Sequence, residues 1–395
     1  MNILQLCPKS PFPPSEGGPI AMKAIRDGLL NAGHYVHTFT LSTVKFPVKA
    51  EIAANIPDFS YAFLDTSVRI MPALRDLILN RSYNISRFHH PSIVEKIKSL
   101  LLEKKWDIVL VESQFMMPYI DTIRSLFQGP VIMRTLNVEY VIWERVASNE
   151  RNFLKRWYLN ILAKQLKKYE IGCFALADAV ATISDVDTEQ TRLMQPQADV
   201  ETIAFAIPKR CDEPRKKKFT ARFGHIGSMD WAPNAEGIAW FLSEVWPEIR
   251  KQTSEASLHL AGRNMPDNLI SNEAMGVFVH GEVDSAEEFM QSLDALIVPL
   301  LSGSGVRIKI AEAMSLGIPV VTTPVGAEGL MVENGTDIII CDGAAAMISI
   351  IPRIVADPSL IENIGKESIK TIRNQHSPEI ITQKLEALIQ RKMKS

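Results

Sequence analysis

Short apolar runs rich in Val, Ile and Leu alternate with longer amphipathic stretches along the whole chain. Runs at 2–6, 35–41, 107–112, 130–136, 178–184 and 200–205 predict six buried strands. The basic, proline-flanked segment 208–218, PKRCDEPRKKK, then interrupts the series and reads as a linker. Strand-like runs restart at 221–227, 256–262, 276–281, 293–300, 318–323 and 337–341. Near-continuous apolar strands separated by helix-length segments imply parallel sheets with right-handed crossovers. Two such series predict an α/β chain of two Rossmann-like domains, 1–208 and 219–378, joined by 209–218 and facing across a cleft. The amphipathic tail 379–395 predicts a C-terminal helix, with a return to the first domain left open. Segment 43–92 carries no legible period; variable insertions of this kind are candidate sites of acceptor specificity.

Bulk properties narrow the function. At 395 residues each domain can bury its own core, and a net charge of −2 offers no field for nucleic acid. Four scattered cysteines (Cys7, Cys173, Cys211, Cys341) lack metal-site spacing and fit a reducing compartment. With no signal-like or membrane-spanning run, the chain is expected to be cytoplasmic. The loop after the first strand, CPKSPFPPSEGG, lacks the GxGxxG of a dinucleotide fold, which argues against an NAD enzyme.

The richest stretch follows the apolar run 295–301. A Ser/Gly loop (Ser302 to Gly305) leads into a helix predicted over 306–315, with Arg307, Lys309 and Glu312, and then the strand IPVVTT. Exposed N–H groups at a helix start attract phosphate oxygens. Two cations neutralise a diphosphate, and a carboxylate farther along accepts both hydroxyls of a ribose. An intrahelical Lys309–Glu312 pair is the plainer alternative.

Other strand ends supply further candidates. Gly227 and Ser228 suit a second phosphate contact or an ordinary turn, with Asn234 positioned to cap the next helix. Arg263 reaches toward the ligand or lies on the surface, and backbone groups at Gly281 and Val283 suit a base edge or a plain loop. Gly17 and Gly18 open the first helix and suit close ligand approach or a flexible loop without ligand contact. Residues 151–170 alternate basic and apolar positions, which fits either contact with anionic lipid or packing on the domain itself.

These residues resemble a known family. The stretches FGHIGSMDWAPNAEGIAWFLSEVWPEI, LHLAGR, FVHGEV and LIVPLLSGSGVRIKIAEAMSLGIPVVTTPVGAEGL are similar to the donor-binding domain of family 4 glycosyltransferases of GT-B architecture. PSEGGPIAMKAIRDGLLNAGHYV, RTLNVEYVIWERVA and LADAVATISDVDTEQT extend the resemblance into the first half. It implies that Glu312 holds the ribose, that Arg307, Lys309 and the Gly305–Val306 backbone lie near the diphosphate, and that Gly227–Ser228 and Gly17–Gly18 approach the donor. Two departures stand out. Ser304 occupies the place of a second glutamate that usually contacts the donor sugar, and Leu136 replaces a histidine, leaving Arg134, Asn137 and Glu139 as nearby polar residues.

The activity so implied is retaining sugar transfer, without a metal or other cofactor, from a nucleotide-sugar to a glycan or lipid-linked acceptor. Surface polysaccharide synthesis is the expected setting, with peripheral membrane contact an open extension. Arg307 and Lys309 are the expected catalytic cations; Glu139 either orients the acceptor or is an acid at a helix N-terminus with no chemical role. A GT-B nucleotide-sugar epimerase and a non-catalytic sugar-nucleotide-binding partner remain alternatives.

Overall fold

The computed structural model describes residues 1–14, 17–150, 152–208, 210–214, 218–303 and 305–394. The chain divides into two compact units, Met1–Ala206 with Pro378–Ser395, and Ile207–Ser377.

The first unit is built on a seven-stranded parallel sheet. Its strands are β1 (Asn2–Cys7), β2 (Tyr35–Ser42), β3 (Phe59–Phe63), β4 (Ile108–Glu112), β5 (Val131–Thr135), β6 (Ala179–Thr182) and β7 (Val200–Thr202), in the order β3-β2-β1-β4-β5-β6-β7. One face packs Leu4, Phe39, Val109 and Met133 against Ile93, Ile97 and Tyr119. The other packs Ile3, Val36, Ile108 and Ile132 against Ile25, Leu29, Ile381 and Leu385. The helix Pro378–Lys394 thus belongs to this unit. It lies so close to the first helix that a Cβ on Gly28 would stand 2.1 Å from Thr382 Oγ1.

The second unit has six parallel strands: β8 (Arg222–Ile226), β9 (Ser257–Ala261), β10 (Val277–Gly281), β11 (Ala295–Val298), β12 (Val320–Thr322) and β13 (Ile339–Ile340), ordered β10-β9-β8-β11-β12-β13. In each sheet the order reverses beside its first strand, between β1 and β4 and between β8 and β11. Loops diverge there, which opens a crevice at the strands' carboxyl ends.

All twelve predicted strands are present, several of them shorter than their apolar runs. The run 178–184 ends at Thr182 because Ser184 caps the helix Asp185–Met194, accepting from Asp187 N at 3.1 Å. The strand β3 falls in the illegible segment 43–92. It is an edge strand with Tyr61 and Phe63 exposed, so its sequence lacks the buried signature. Within the supposed linker, Cys211 donates to Ser315 O and Asp212 pairs with Arg373, both inside the second unit. Of the basic stretch 151–170, Arg151 lies outside the described residues and 153–170 lie in the helix Phe153–Leu176, whose Leu159, Leu162, Leu166, Cys173 and Phe174 are buried in its own unit. Phe153, Leu154 and Trp157 remain exposed at its start. Among the described residues, no single helix is long and apolar enough to cross a membrane.

Candidate active site

The carboxyl ends of β8 and β11 bring the second unit's candidates together. After β8 the chain turns through Gly227 and Ser228 into the helix Ala232–Trp240. Pro233 favours a helix start at this point, so the helix begins ahead of Asn234, which lies in its first turn and does not cap it. Asn234 is buried and donates Nδ2 to Ser228 O at 2.8 Å, tying helix to loop. Gly237 lets this helix press on the end of β11, where a Cβ would stand 2.3 Å from Pro299 O.

After β11 the chain turns through Gly303 and Gly305, at φ 113° and 77°, into the helix Ile308–Ser315. Ser304 lies outside the described residues. The helix starts later than predicted, and Arg307 holds its N-cap position with a non-helical backbone. The Arg307 side chain is buried, donates Nη1 to Gly305 O at 2.5 Å and lies over the Trp231 ring at 5.2 Å. Trp231 escaped the sequence reading; its signal was an aromatic between a tight turn and a proline. Stacking of this kind orients a planar guanidinium while leaving its edge for hydrogen bonds.

Lys309 donates Nζ to Asn234 Oδ1 at 2.8 Å. No Lys309–Glu312 ion pair is found among the described ones, so the intrahelical alternative fails. Burial pushes Lys309 down to about 7, and the Arg307 charge adds to this, while Glu312 works the other way. Burial raises Glu312, the Arg210 charge lowers it, and Glu287, paired with Arg210 at 3.1 Å, raises it again. Two crowded cations facing a neutral amide form a site that an anion would complete.

Neighbouring strand ends close round this corner. Gly227 N donates to Ala261 O at 3.0 Å and Gly262 N to Gly281 O at 2.7 Å. Gly262 adopts φ 146°, and a Cβ there would stand 1.8 Å from Gly227 O, so the fold excludes a side chain. The sequence reading missed Gly262. Gly281 adopts φ 69°, Val283 beyond it is half-buried, and Val306 is half-buried beside Gly305. Arg263 is exposed; its backbone carbonyl accepts from Met229 N at 3.0 Å.

A second cluster lies in the first unit. Gly18, in the first turn of the helix Gly17–Asn31, would place a Cβ 3.1 Å from Lys9 Cε and 3.3 Å from Leu136 Cδ1. The loops after β1 and β5 therefore meet there. Glu139 opens the helix Glu139–Asn149, and burial pushes it up to about 7 against an Asn137 hydrogen bond and the Lys9 charge. Behind it the Glu170 carboxyl accepts from the N–H groups of Glu139, at 2.9 Å, and Tyr140, at 3.0 Å. It caps a helix whose own N-cap, Val138, cannot. Arg134, a polar candidate on sequence, is fully buried and pairs with Glu112 at 2.6 Å. Glu112 also accepts from Gln5 Nε2 at 2.8 Å. Among the described residues, no group of three His, Cys, Asp or Glu is arranged to hold a metal.

Residues 220–357 match the family model described as Glycosyl transferases group 1. A relative, an uncharacterized 44.6 kDa protein in the cps region of Klebsiella pneumoniae, is 25% identical over 262 residues. That match spans 62% of this chain and 65% of the relative, just under two thirds of its length. Sucrose-phosphate synthase from Thermosynechococcus elongatus superposes with a TM-score of 0.71 at 16% identity, covering 99% of both chains. HepE of Anabaena, solved with UDP-glucose, gives a TM-score of 0.65 at 13% identity over 99% of this chain and 100% of its own. The fold is that of GT-B glycosyltransferases, with two Rossmann-like domains.

Proposed function

We propose, on the premise that the second unit is a group 1 glycosyl transferase domain in a GT-B fold, that the protein transfers a sugar from a nucleotide-sugar to a glycan or lipid-linked acceptor with retention. The observation that carries this reading is the meeting of Arg307 and Lys309 at the carboxyl ends of β8 and β11, with Glu312 one turn farther along the same helix. The diphosphate takes the two cations, and the Gly305–Val306 backbone and the Gly227–Ser228 turn provide its remaining contacts. Glu312 takes the ribose hydroxyls, and the loop at Gly281 and Val283 takes the base. Arg263, exposed at the end of β9, meets the outer face of the donor. Gly17 and Gly18 let the first unit's loop approach the donor without a side chain.

In the reaction the bond from the anomeric carbon to phosphate breaks, and one from the same carbon to the acceptor oxygen forms on the same face. The acceptor proton passes to the departing phosphate oxygen, and a nucleoside diphosphate leaves. Arg307 and Lys309 stabilise the growing negative charge without a metal. Glu139, poised near neutrality, orients the acceptor hydroxyl. The cps-region relative supports surface polysaccharide synthesis as the setting. Exposed Phe153, Leu154 and Trp157 beside Lys155 and Arg156 support contact with an anionic lipid surface.

Thermal-shift measurements against UDP-, GDP-, ADP- and dTDP-sugars, UDP-sugars first, followed by transfer assays on the stabilising donor, test the proposal. A cognate donor raises the melting temperature. No shift with any donor would remove the site. Epimerisation of the donor without acceptor would replace transfer by the epimerase reading, and binding without turnover would leave a non-catalytic partner.

A further inference from the structure

His225, in β8, is fully buried and takes no part in the chemistry above. Its Nδ1 lies 2.9 Å from Ile297 O on β11. A carbonyl oxygen only accepts, so Nδ1 carries the hydrogen. Burial, with the Lys309 charge behind it, holds the imidazole well below its ordinary range, so it stays neutral and Nε2 keeps a bare lone pair. Among the described residues Nε2 has no hydrogen-bond partner. A buried acceptor left unmade is costly, which points to a donor that reaches it in some working state.

That donor is close by. A Cβ on Gly227 would stand 2.5 Å from Lys309 Nζ, 2.6 Å from Asn234 Nδ2 and 3.1 Å from His225 Nε2. Glycine leaves this point open, and the three nitrogens converge on it. We infer that His225 is a positioning residue for Lys309, its bare Nε2 serving as the ammonium's second neutral acceptor, so that Lys309 stays charged and turned toward the diphosphate. The inference deepens the donor-site reading and rests on it. Asn234 and His225 both accept without charge, so neither neutralises the cation that the donor needs. The other groups facing Lys309 are Arg307 and Glu312 of its own segment, with Arg210 and Glu287 beyond Glu312. A protonated imidazole would repel the ammonium, so the fixed tautomer is what makes His225 useful.

The test compares His225→Asn, which keeps a donor for Ile297 O and deletes the Nε2 acceptor, with His225→Gln, whose amide oxygen can replace it. The full chain is labelled with an amine-reactive acetylating reagent from pH 6 to 9, and Lys309 modification is read by mass spectrometry. His225→Asn is expected to lower the labelling midpoint by about one pH unit, roughly tenfold more reaction at a fixed acid pH, while His225→Gln stays near wild type. Superimposable curves for all three proteins overturn the inference, as does an equal shift in both variants, which marks a merely structural disturbance. UDP added to the wild type keeps the two readings separable. A shift in His225→Asn without protection by any nucleoside diphosphate upholds the positioning role and removes the donor site.

Discussion

Lys309 Nζ lies 2.8 Å from Asn234 Oδ1, and Asn234 spends its amide hydrogen on Ser228 O, so a cation from the helix after β11 is held by the helix after β8. The contact spans the point at which the sheet order reverses, and its acceptor is neutral. The lysine is anchored without being neutralised, an arrangement that suits an anionic ligand and burdens the empty protein.

That burden is measurable. Burial pushes Lys309 down to about 7 in the folded chain, against an ordinary 10.5. Between these values the unfolded chain holds a proton that the folded chain lacks, so this group's contribution to stability rises with pH across the window. Lys309→Met is therefore expected to stabilise the unliganded protein most below pH 7, by about 1–3 kcal/mol, with the gain shrinking toward pH 10. Urea unfolding at pH 6 and pH 9 reads the difference. A variant less stable than wild type at pH 6 would contradict it.

Turnover should move the opposite way. If Arg307 and Lys309 stabilise the leaving group as proposed, Arg307→Ala and Lys309→Ala should each lose ~10²–10³ in kcat. Arg307→Lys should recover little, because an ammonium does not reproduce the stacked guanidinium over Trp231. Wild-type rates in folded alanine variants, checked by circular dichroism, would refute the assigned role.

Two glycines of the site should fail differently. At Gly262 a Cβ meets Gly227 backbone at 1.8 Å on a left-handed φ, so Gly262→Ala should lose about 2–4 kcal/mol of stability. At Gly227 the obstacles are all side-chain atoms: the Lys309 ammonium at 2.5 Å, on a long chain that can turn away, the Asn234 amide at 2.6 Å and His225 Nε2 at 3.1 Å. Gly227→Ala should fold and melt near wild type yet bind donor about tenfold more weakly. Melting curves beside donor titrations separate the two, and equal melting temperatures for both variants would refute the distinction.

Much of this was legible because buried parallel strands have a loud sequence signature. Val, Ile and Leu runs located β11 and β12, and glycines bounding a short helix located the Arg307–Lys309–Glu312 segment. What escaped was set by tertiary context. The edge strand β3 exposes Tyr61 and Phe63 and so shows no buried run. Arg134 looks like a ligand group in RTLNVEY, but its strand register turns it onto Glu112. Asn234 resembles a cap until Pro233 moves the helix start ahead of it. His225 shows nothing on sequence, since its tautomer depends on a carbonyl 72 residues away.

Glu139 offers a pH test of the acceptor side. With its carboxyl pushed up to about 7, the fraction ionised climbs through neutrality. If the carboxylate orients the acceptor, kcat/KM should rise with pH through an acid limb near 7, and Glu139→Gln should flatten that limb while lowering the plateau about 10²-fold. A limb that persists in the variant would assign it to another group.

Glu170 gives a separate signature, in stability alone. Its buried carboxyl is raised to about 8, while an unfolded glutamate titrates near 4.5. Across that window the folded protein keeps a proton that the unfolded chain has released, so stability falls as pH rises from 4.5 through 8. Glu170→Gln cannot ionise and retains an oxygen for one of the N–H groups of Glu139 and Tyr140. It gives up the second of these bonds, worth about 1 kcal/mol, at every pH. The variant should thus be less stable than wild type at pH 5 and overtake it by pH 8, the residual slope belonging to the other shifted groups, Glu139 and Lys309 among them. Urea midpoints at half-unit steps reveal the crossing. Parallel curves would mean that the two helix N–H groups keep Glu170 ionised, in which case the cap acts as a carboxylate at every working pH.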